Sequence, residues 1–397
     1  MNNDYKDFFN VNSQNLIMSI VIIIIIIIIL VYSSNQTTLQ TKNCEKIKTT
    51  FMKDYLPATS VLAFPNRTRM TDVYIKTAYN CCCSGKFKND YVDICALQNC
   101  ARYGVRALDF QVFKLNGKPI IAASTVNEIK YKEIYNYLYF NDTMLEVYNS
   151  FITNTTLTNS TEPLFLIFRV YSKAKDTYDQ MFTSLNNIFG SGQQSGNSNM
   201  IYITSDLPNT KIKTLMNKVI ILVEYSCIGK SYETECETSF KNSSLSKITS
   251  LNLNGLSGKV YRESEILLNK NSLNDFTVWF TQHSSELNII YPNTQTNSHN
   301  YDFTLSGLNT GTSFIGLNFQ TNDTNLTRLN TADVVDTNGK VTIVKGLGNK
   351  AFKLKPLVVG VTNDTSELIT DFKNNVNSGN NILKRLANIN MTPPSII

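Results

Sequence analysis

Gly104-Val105-Arg106-Ala107-Leu108-Asp109-Phe110-Gln111 opens a β-prone run that continues to Phe113 and predicts a strand over Val105 to Phe113. Similar runs lie on either side of it. Strands are expected at Val73 to Thr77, Ile120 to Ala123, Leu164 to Tyr171, Met200 to Thr204 and Lys218 to Tyr225. Leu164-Phe165-Leu166-Ile167-Phe168 and Val219-Ile220-Ile221-Leu222-Val223 are continuous apolar runs, the pattern of strands buried on both faces. Helical patterns near Glu128 to Ile152, Ala174 to Ile188 and Thr210 to Asn217 separate them, so the sheet should be parallel. After a polar stretch, Gly229 to Gly258, a helix is expected near Glu263 to Ser285, with strands at Asn288 to Tyr291 and Ser313 to Phe319. Ser191 to Asn199 is rich in Gly, Ser, Gln and Asn and reads as a solvated loop.

The chain has 397 residues, 42% of them hydrophobic and 17% charged, a composition that excludes disorder along most of its length. Beyond the N-terminal apolar segment this is room for one large α/β barrel or two ordinary domains. The 37 basic residues are spread along the chain without a Lys/Arg block, which argues against a nucleic-acid binder. Asparagine makes up about one residue in eight, alongside many Ile, Lys and Tyr, the bias of an AT-rich genome. So much Asn produces Asn-x-Ser/Thr sequons by chance, and the ten present are poor evidence of glycosylation.

Leu16 to Tyr32 is apolar except for Ser19 and contains the consecutive isoleucines Ile22 to Ile29. As a helix it is roughly 25 Å long, near the lower limit for a bilayer span. The run exceeds the h-region of a signal peptide, and Met1 to Asn15 carries Asp4 and Asp7 against one Lys, so an anchor is expected rather than a cleaved leader. Lys42, Lys46, Lys48 and Lys53 after the span favour a cytosolic globular part. Cysteine usage points the other way. Eight cysteines form an even set, in which Cys227 and Cys236 can close a short loop as a disulfide, although each also reads as a small buried apolar residue. Zinc at Cys81, Cys82, Cys83, Cys95 and Cys100 is disfavoured, because there is no Cys-x-x-Cys pair and no nearby His.

The Gly104–Gln111 string resembles the Gly-x-Arg-x-x-Glu-Leu-Asp strand of phosphoinositide-specific phospholipase C. Pro119-Ile120-Ile121, Pro163 through Ile188-Phe189-Gly190, and Lys218-Val219-Ile220-Ile221 agree with that family in order. Ile290-Tyr291-Pro292, Gly316-Leu317-Asn318-Phe319-Gln320-Thr321 and Leu354-Lys355-Pro356 resemble strings of its Y half. The resemblance covers about residues 45 to 360. It implies a TIM-type α/β barrel of the phospholipase-C-like phosphodiesterase kind, split into an X half at 45–228, a linker at 229–258 and a Y half at 259–360. A tail at 1–15, the anchor at 16–32, a linker at 33–44 and a C-terminal tail at 361–397 complete the expected layout.

In that family two histidines act as general base and acid on the inositol phosphodiester, helped in eukaryotic members by Ca²⁺. Here the first position reads Tyr79, followed by Asn80, and the second falls at Ala123. The chain holds only two histidines, His283 and His299, so residues 1 to 282 have none to offer. Both are read as ordinary surface residues. Asn80 and Asp109 match metal-ligand positions, but Gln111 replaces an Asp and Arg169 replaces a Glu. A cation in that place opposes Ca²⁺, which leaves no cofactor expected. Arg169 is expected to pair with Asp109 and fill the empty site, the other reading being that it points to solvent. Two phosphate-binding lysines fall at Leu222 and Glu224, and an Arg falls at Ile289, which leaves Tyr291 to stack on a ring. Arg106 is retained, either in the pocket or as a structural ion-pair partner. The expected protein is therefore a membrane-anchored barrel without His-dependent phosphodiesterase activity, binding a lipid headgroup or a protein. Its composition suits a virion membrane protein of a large DNA virus. The alternatives are a phosphodiesterase acting through Tyr79, Asp109 and Arg169, and a structural or adhesive virion protein.

Overall fold

The computed structural model describes residues 4–50, 58–126, 128–129, 131, 133–190, 199–227, 229–268, 273–294, 297–331, 334–335, 341–343 and 346–355. Most of the loop expected at 191–199, and the C-terminal tail, lie outside them. Eight strands form the centre: β1 (Val73–Ala78), β2 (Ala107–Leu115), β3 (Leu164–Tyr171), β4 (Val219–Tyr225), β5 (Leu251–Asn252), β6 (Val260–Arg262), β7 (Ile289–Tyr291) and β8 (Phe314–Leu317). Except at β5 and β6, each pairs in parallel with the next, and β8 returns to β1, where Ile75 lies beside Phe314. Among the described residues no ladder joins β5 to β6, so the ring has one open seam. This is a TIM-like barrel, and its C-terminal strand ends form the mouth.

The two continuous apolar runs became β3 and β4 because both of their faces are covered. All eight residues of β3 are buried. Its inward Phe165 meets Phe314 across the barrel, and its outward Phe168 packs on Phe110 and Phe140. The turn that feeds β2 depends on Gly104 (φ 66°), a left-handed residue that ends the helix Ile94–Arg102 and carries the N–H groups of Gly104 and Val105 onto the carbonyls of Ala101 and Cys100.

Four expectations need correction. Glu128 to Ile152 is not one helix: only Phe140–Val147 is α-helical, followed by a π turn at Tyr148–Ile152 and preceded by the two-residue strand Leu138–Tyr139. Side chains upstream bond the backbone locally in place of a helical ladder. Asn136 bridges both backbone groups of Val92, and Glu133 folds back onto the amides of Thr125 and Val126. The helix expected at Glu263 to Ser285 is two, Glu263–Leu267 and Leu273–Gln282. The polar stretch Gly229 to Gly258, read as a connector, supplies the helix Glu233–Lys241 and the barrel strand β5. Finally, 33–44 is no loose linker. One helix, α1, runs from Asp4 to Thr50, and its last turns dock on the barrel through Gln40 to Asp93, Asn43 to Asp90, a Cys44–Cys95 disulfide and buried Ile47. A second disulfide joins Cys227 to Cys236, while Cys81, Cys82, Cys83 and Cys100 are free and buried.

Glu133 also ties down a loop at the mouth. Burial pulls its carboxyl upward, but the Thr125 and Ser124 hydroxyls, the Thr125 amide and Lys88 outweigh that and hold it at about 2, against an ordinary 4.5. A depressed carboxyl contributes stability that is present above pH 4.5 and lost as the pH falls toward 2. Hydrogen-exchange protection of the Thr125 and Val126 amides should therefore fall across that window, and Glu133→Ala, which removes the acceptor, should lack it already at pH 7.

Candidate functional site

At the mouth, the end of β1 turns sharply through Asn80, whose φ of 45° is a left-handed conformation that Asn tolerates. That turn aims the Asn80 amide N–H at Asp109 Oδ2 (2.9 Å) and its side-chain Oδ1 at Arg169 (2.6 Å). Asp109 on β2 and Arg169 on β3 share the interior face. Arg169 grips the carboxylate with two bonds, Nε to Oδ1 at 2.8 Å and Nη2 to Oδ2 at 2.7 Å. From across the barrel, the Tyr291 hydroxyl donates to Oδ1 at 2.8 Å. The four lone-pair sites of the carboxylate are thereby all engaged. Asp109 and Arg169 are 0% and 1% exposed.

Aromatic rings wall the ion pair. The Arg169 guanidinium lies 4.7 Å from the Tyr79 ring and 5.3 Å from that of Tyr291, and the two rings are 4.6 Å apart. Burial alone would weaken the charge on Arg169, but Asp109, with Tyr79 and Tyr171 beside it, holds its pKa well above the ordinary value. Burial and the adjacent Asp109 push the Tyr291 hydroxyl well up, so it stays a donor.

Arg262, at the end of β6, is a second cation that the sequence reading missed. It donates to the Tyr79 hydroxyl and to the Pro292 carbonyl, each at 3.0 Å. A three-residue strand carries too little pattern to place it; the acids Glu263 and Glu265 in the following helix's first turn were the available signal. Glu224 lies beside Arg169 in the strand register, and burial raises its carboxyl against the pull of Arg169 and Arg262. Two guanidiniums thus face two carboxyls, of which Glu224 keeps one buried oxygen, Oε2, without a hydrogen-bond partner.

The remaining candidates divide between the mouth and elsewhere. Gln111 spends its amide on the Ser124 backbone and the Tyr171 hydroxyl, and Ala123 next to it is fully buried. Leu222 is buried in register with Ile167 and Leu251. Arg106 does not belong to the site. It precedes β2 at the opposite end of the barrel, where its guanidinium binds the carbonyls of Phe151, Ser160, Glu162 and Pro163. His283 stacks on Trp279, with ring centroids 3.9 Å apart, away from this centre.

These residues do not fit Ca²⁺, which needs six to eight oxygens at about 2.3–2.6 Å, several of them anionic. Asp109 has no lone pair left and Asn80 Oδ1 is taken by Arg169.

No family model matches the chain, and no curated protein matches it in sequence. Solved structures do match in fold. The crystal structure of PLC21 from L. pealei has a TM-score of 0.53 at 17% identity and covers 74% of this chain and 38% of its own. PLC21 from S. officinalis gives 0.50 at 16% identity, covering 67% of this chain and 36% of its own. A calcium-dependent phosphoinositol-specific phospholipase C from Pseudomonas sp. gives 0.43 at 10% identity, covering 73% and 96%. The chain has a phospholipase-C-like barrel fold, and it spans less than two fifths of the length of either PLC21.

Proposed function

We propose that this chain is a membrane-held binding protein built on a phospholipase-C-type barrel that no longer turns over phosphodiesters. The observation that carries the reading is the Arg169–Asp109 ion pair, which occupies the barrel mouth and consumes every acceptor site of Asp109. A phosphodiester arriving at this centre would find Asp109 fully engaged by Arg169, Asn80 and Tyr291, with Glu224 as the carboxyl that keeps an unpaired oxygen. Residues 1 to 282 contain no histidine to act as base or acid.

The membrane part of the reading is supported by α1, which is apolar and long enough to cross a bilayer, with a mean hydropathy of 3.3 over its apolar window and none of that window buried against the barrel. Division into X and Y halves follows the family resemblance, with β1 to β4 in the first half and β6 to β8 in the second. The test is turnover of phosphatidylinositol and of a glycerophosphodiester by the purified full chain in detergent, with and without Ca²⁺. No turnover above the Asp109→Asn variant is expected. Turnover that Asp109→Asn abolishes would establish an active phosphodiesterase and overturn the proposal.

A further inference from the structure

The eight cysteines are sorted by exposure. Cys44 and Cys95 are half-buried, and they are bonded to each other. Cys227 and Cys236, also bonded, are fully buried, and the unpaired Cys81, Cys82, Cys83 and Cys100 are between 1% and 3% exposed. Every thiol that solvent reaches is thus already oxidised, and every thiol left reduced is out of reach. Forming each disulfide takes two protons and two electrons from a pair of thiols, which a thiol–disulfide oxidoreductase of an oxidising compartment accepts; the cytosol runs the exchange in reverse. Cys44–Cys95, which ties α1 to the barrel, has the least shelter from such reduction. The lysines that follow the span argue for the cytosol, but they set a statistical preference, whereas a half-exposed structural disulfide does not persist among reducing thiols.

An oxidising secretory compartment is also where Asn-x-Ser/Thr sequons are glycosylated, and the fold separates sequons that composition alone could not. In that transfer the Asn Nδ2 attacks the anomeric carbon of an oligosaccharide carried on a polyprenyl diphosphate. The N–C bond forms, the C–O bond to the diphosphate breaks and leaves with its electron pair, and Nδ2 gives up one proton. The finished protein must then leave Nδ2 facing water. Asn66, Asn141, Asn242 and Asn322 are exposed and lie on separate parts of the barrel's outside. Asn159 is 0% exposed and spends its Nδ2 on the Gly104 carbonyl at 3.1 Å, and Asn325 spends its own on the Asn300 carbonyl at 3.0 Å. Asn154 is half-buried, and Asn35 stands only about 5 Å along α1 beyond Tyr32, in the headgroup layer. Asn363 and Asn390 lie outside the described residues.

We infer that the barrel lies on the oxidising, non-cytosolic side of the membrane that α1 crosses, with Asn66, Asn141, Asn242 and Asn322 as its N-glycan acceptors. The crossing rests on the membrane reading above, and the side rests on the cysteines.

The test expresses the full chain in animal cells and reads gel mobility before and after an N-glycan endoglycosidase, the resistance of the chain to alkaline carbonate extraction, and the thiols that a polymer-linked maleimide labels after denaturation. The endoglycosidase should shift the parent, and Asn66→Gln, Asn141→Gln, Asn242→Gln and Asn322→Gln should each remove one step of that shift, whereas Asn159→Gln and Asn325→Gln should remove none. These readings need no folded variant. Four of the eight thiols should label without reductant and all eight after it. A chain that resists carbonate yet carries no glycan, or that labels at all eight thiols without reductant, would overturn the inference and leave the span in place. A step lost in Asn159→Gln or Asn325→Gln, or kept in any of the four, would overturn the choice of acceptors. A glycosylated chain that carbonate extracts would remove the anchor and leave the compartment and its acceptors standing.

Discussion

Replacing Arg169 by methionine is expected to destabilise the barrel by about 3–5 kcal/mol, read as a lower urea midpoint with an unchanged slope. Two terms compete in a buried ion pair, the cost of stripping water from both charges and the attraction they recover in a poorly polarisable interior. While both partners are present these nearly cancel, so the pair itself contributes little. Removing one partner leaves the desolvation cost of the other with nothing to offset it. Asp109 would keep the Tyr291 hydroxyl and the Asn80 amide but lose both charge-assisted bonds while remaining 0% exposed. The double variant Asp109→Leu/Arg169→Met removes both charges at similar volume and should regain most of the loss. The coupling in the resulting cycle should then match or exceed the single-variant loss, at about 3 kcal/mol or more. An Arg169 reaching into solvent would instead give a single-variant change within about 0.5 kcal/mol, and that result would show that the lock does not exist in solution.

The parts of this arrangement legible in the sequence were those carried by long strands. The residues of β3 and β4 alternate between an interior and an exterior that are both apolar, so a charged residue inside such a run has few places to go. Arg169 was paired with Asp109 by the family resemblance, which puts both at metal-site positions, and the ladder places them on the same face. The ion pair's other neighbours were not legible in this way. Arg262 sits on a strand of three residues, and its meeting with Tyr79 depends on closing the barrel from both ends. Arg106 has the same residue type as Arg169 and lies on the same segment as Asp109, yet serves the opposite end, because chirality and strand direction decide which end a residue reaches. The docking of α1 was hidden for a different reason. Even numbers of cysteines do not state their pairing, and the Cys44–Cys95 bond joins segments that only the finished fold brings together.

Charge reversal at the same position should separate the loss of metal binding from the loss of catalytic histidines. Arg169→Glu places a second carboxylate beside Asp109, with Glu224 next in the register and Asn80 Oδ1 released from its guanidinium partner. Without a metal, like charges this close raise each other's pKa, and the variant should be less stable at neutral pH than Arg169→Met. Ca²⁺ supplies the missing positive charge to a set of hard oxygens, and weak sites of this kind bind in about the 10⁻⁴–10⁻³ M range. At about 10 mM Ca²⁺, about 10- to 100-fold above such a dissociation constant, binding contributes about 1.4–2.7 kcal/mol, so that concentration should raise the variant's melting temperature and leave the native chain's unmoved. A native chain stabilised equally by Ca²⁺ would mean that a metal displaces Arg169 from Asp109 and that the native residues do fit the ion. Phosphatidylinositol turnover should stay absent in the Ca²⁺-loaded variant, because the positions read as Tyr79 and Ala123 still offer no imidazole to move the proton. Metal affinity recovered without turnover would assign the two losses to different residues of the same barrel mouth, Arg169 for the ion and Tyr79 with Ala123 for the chemistry.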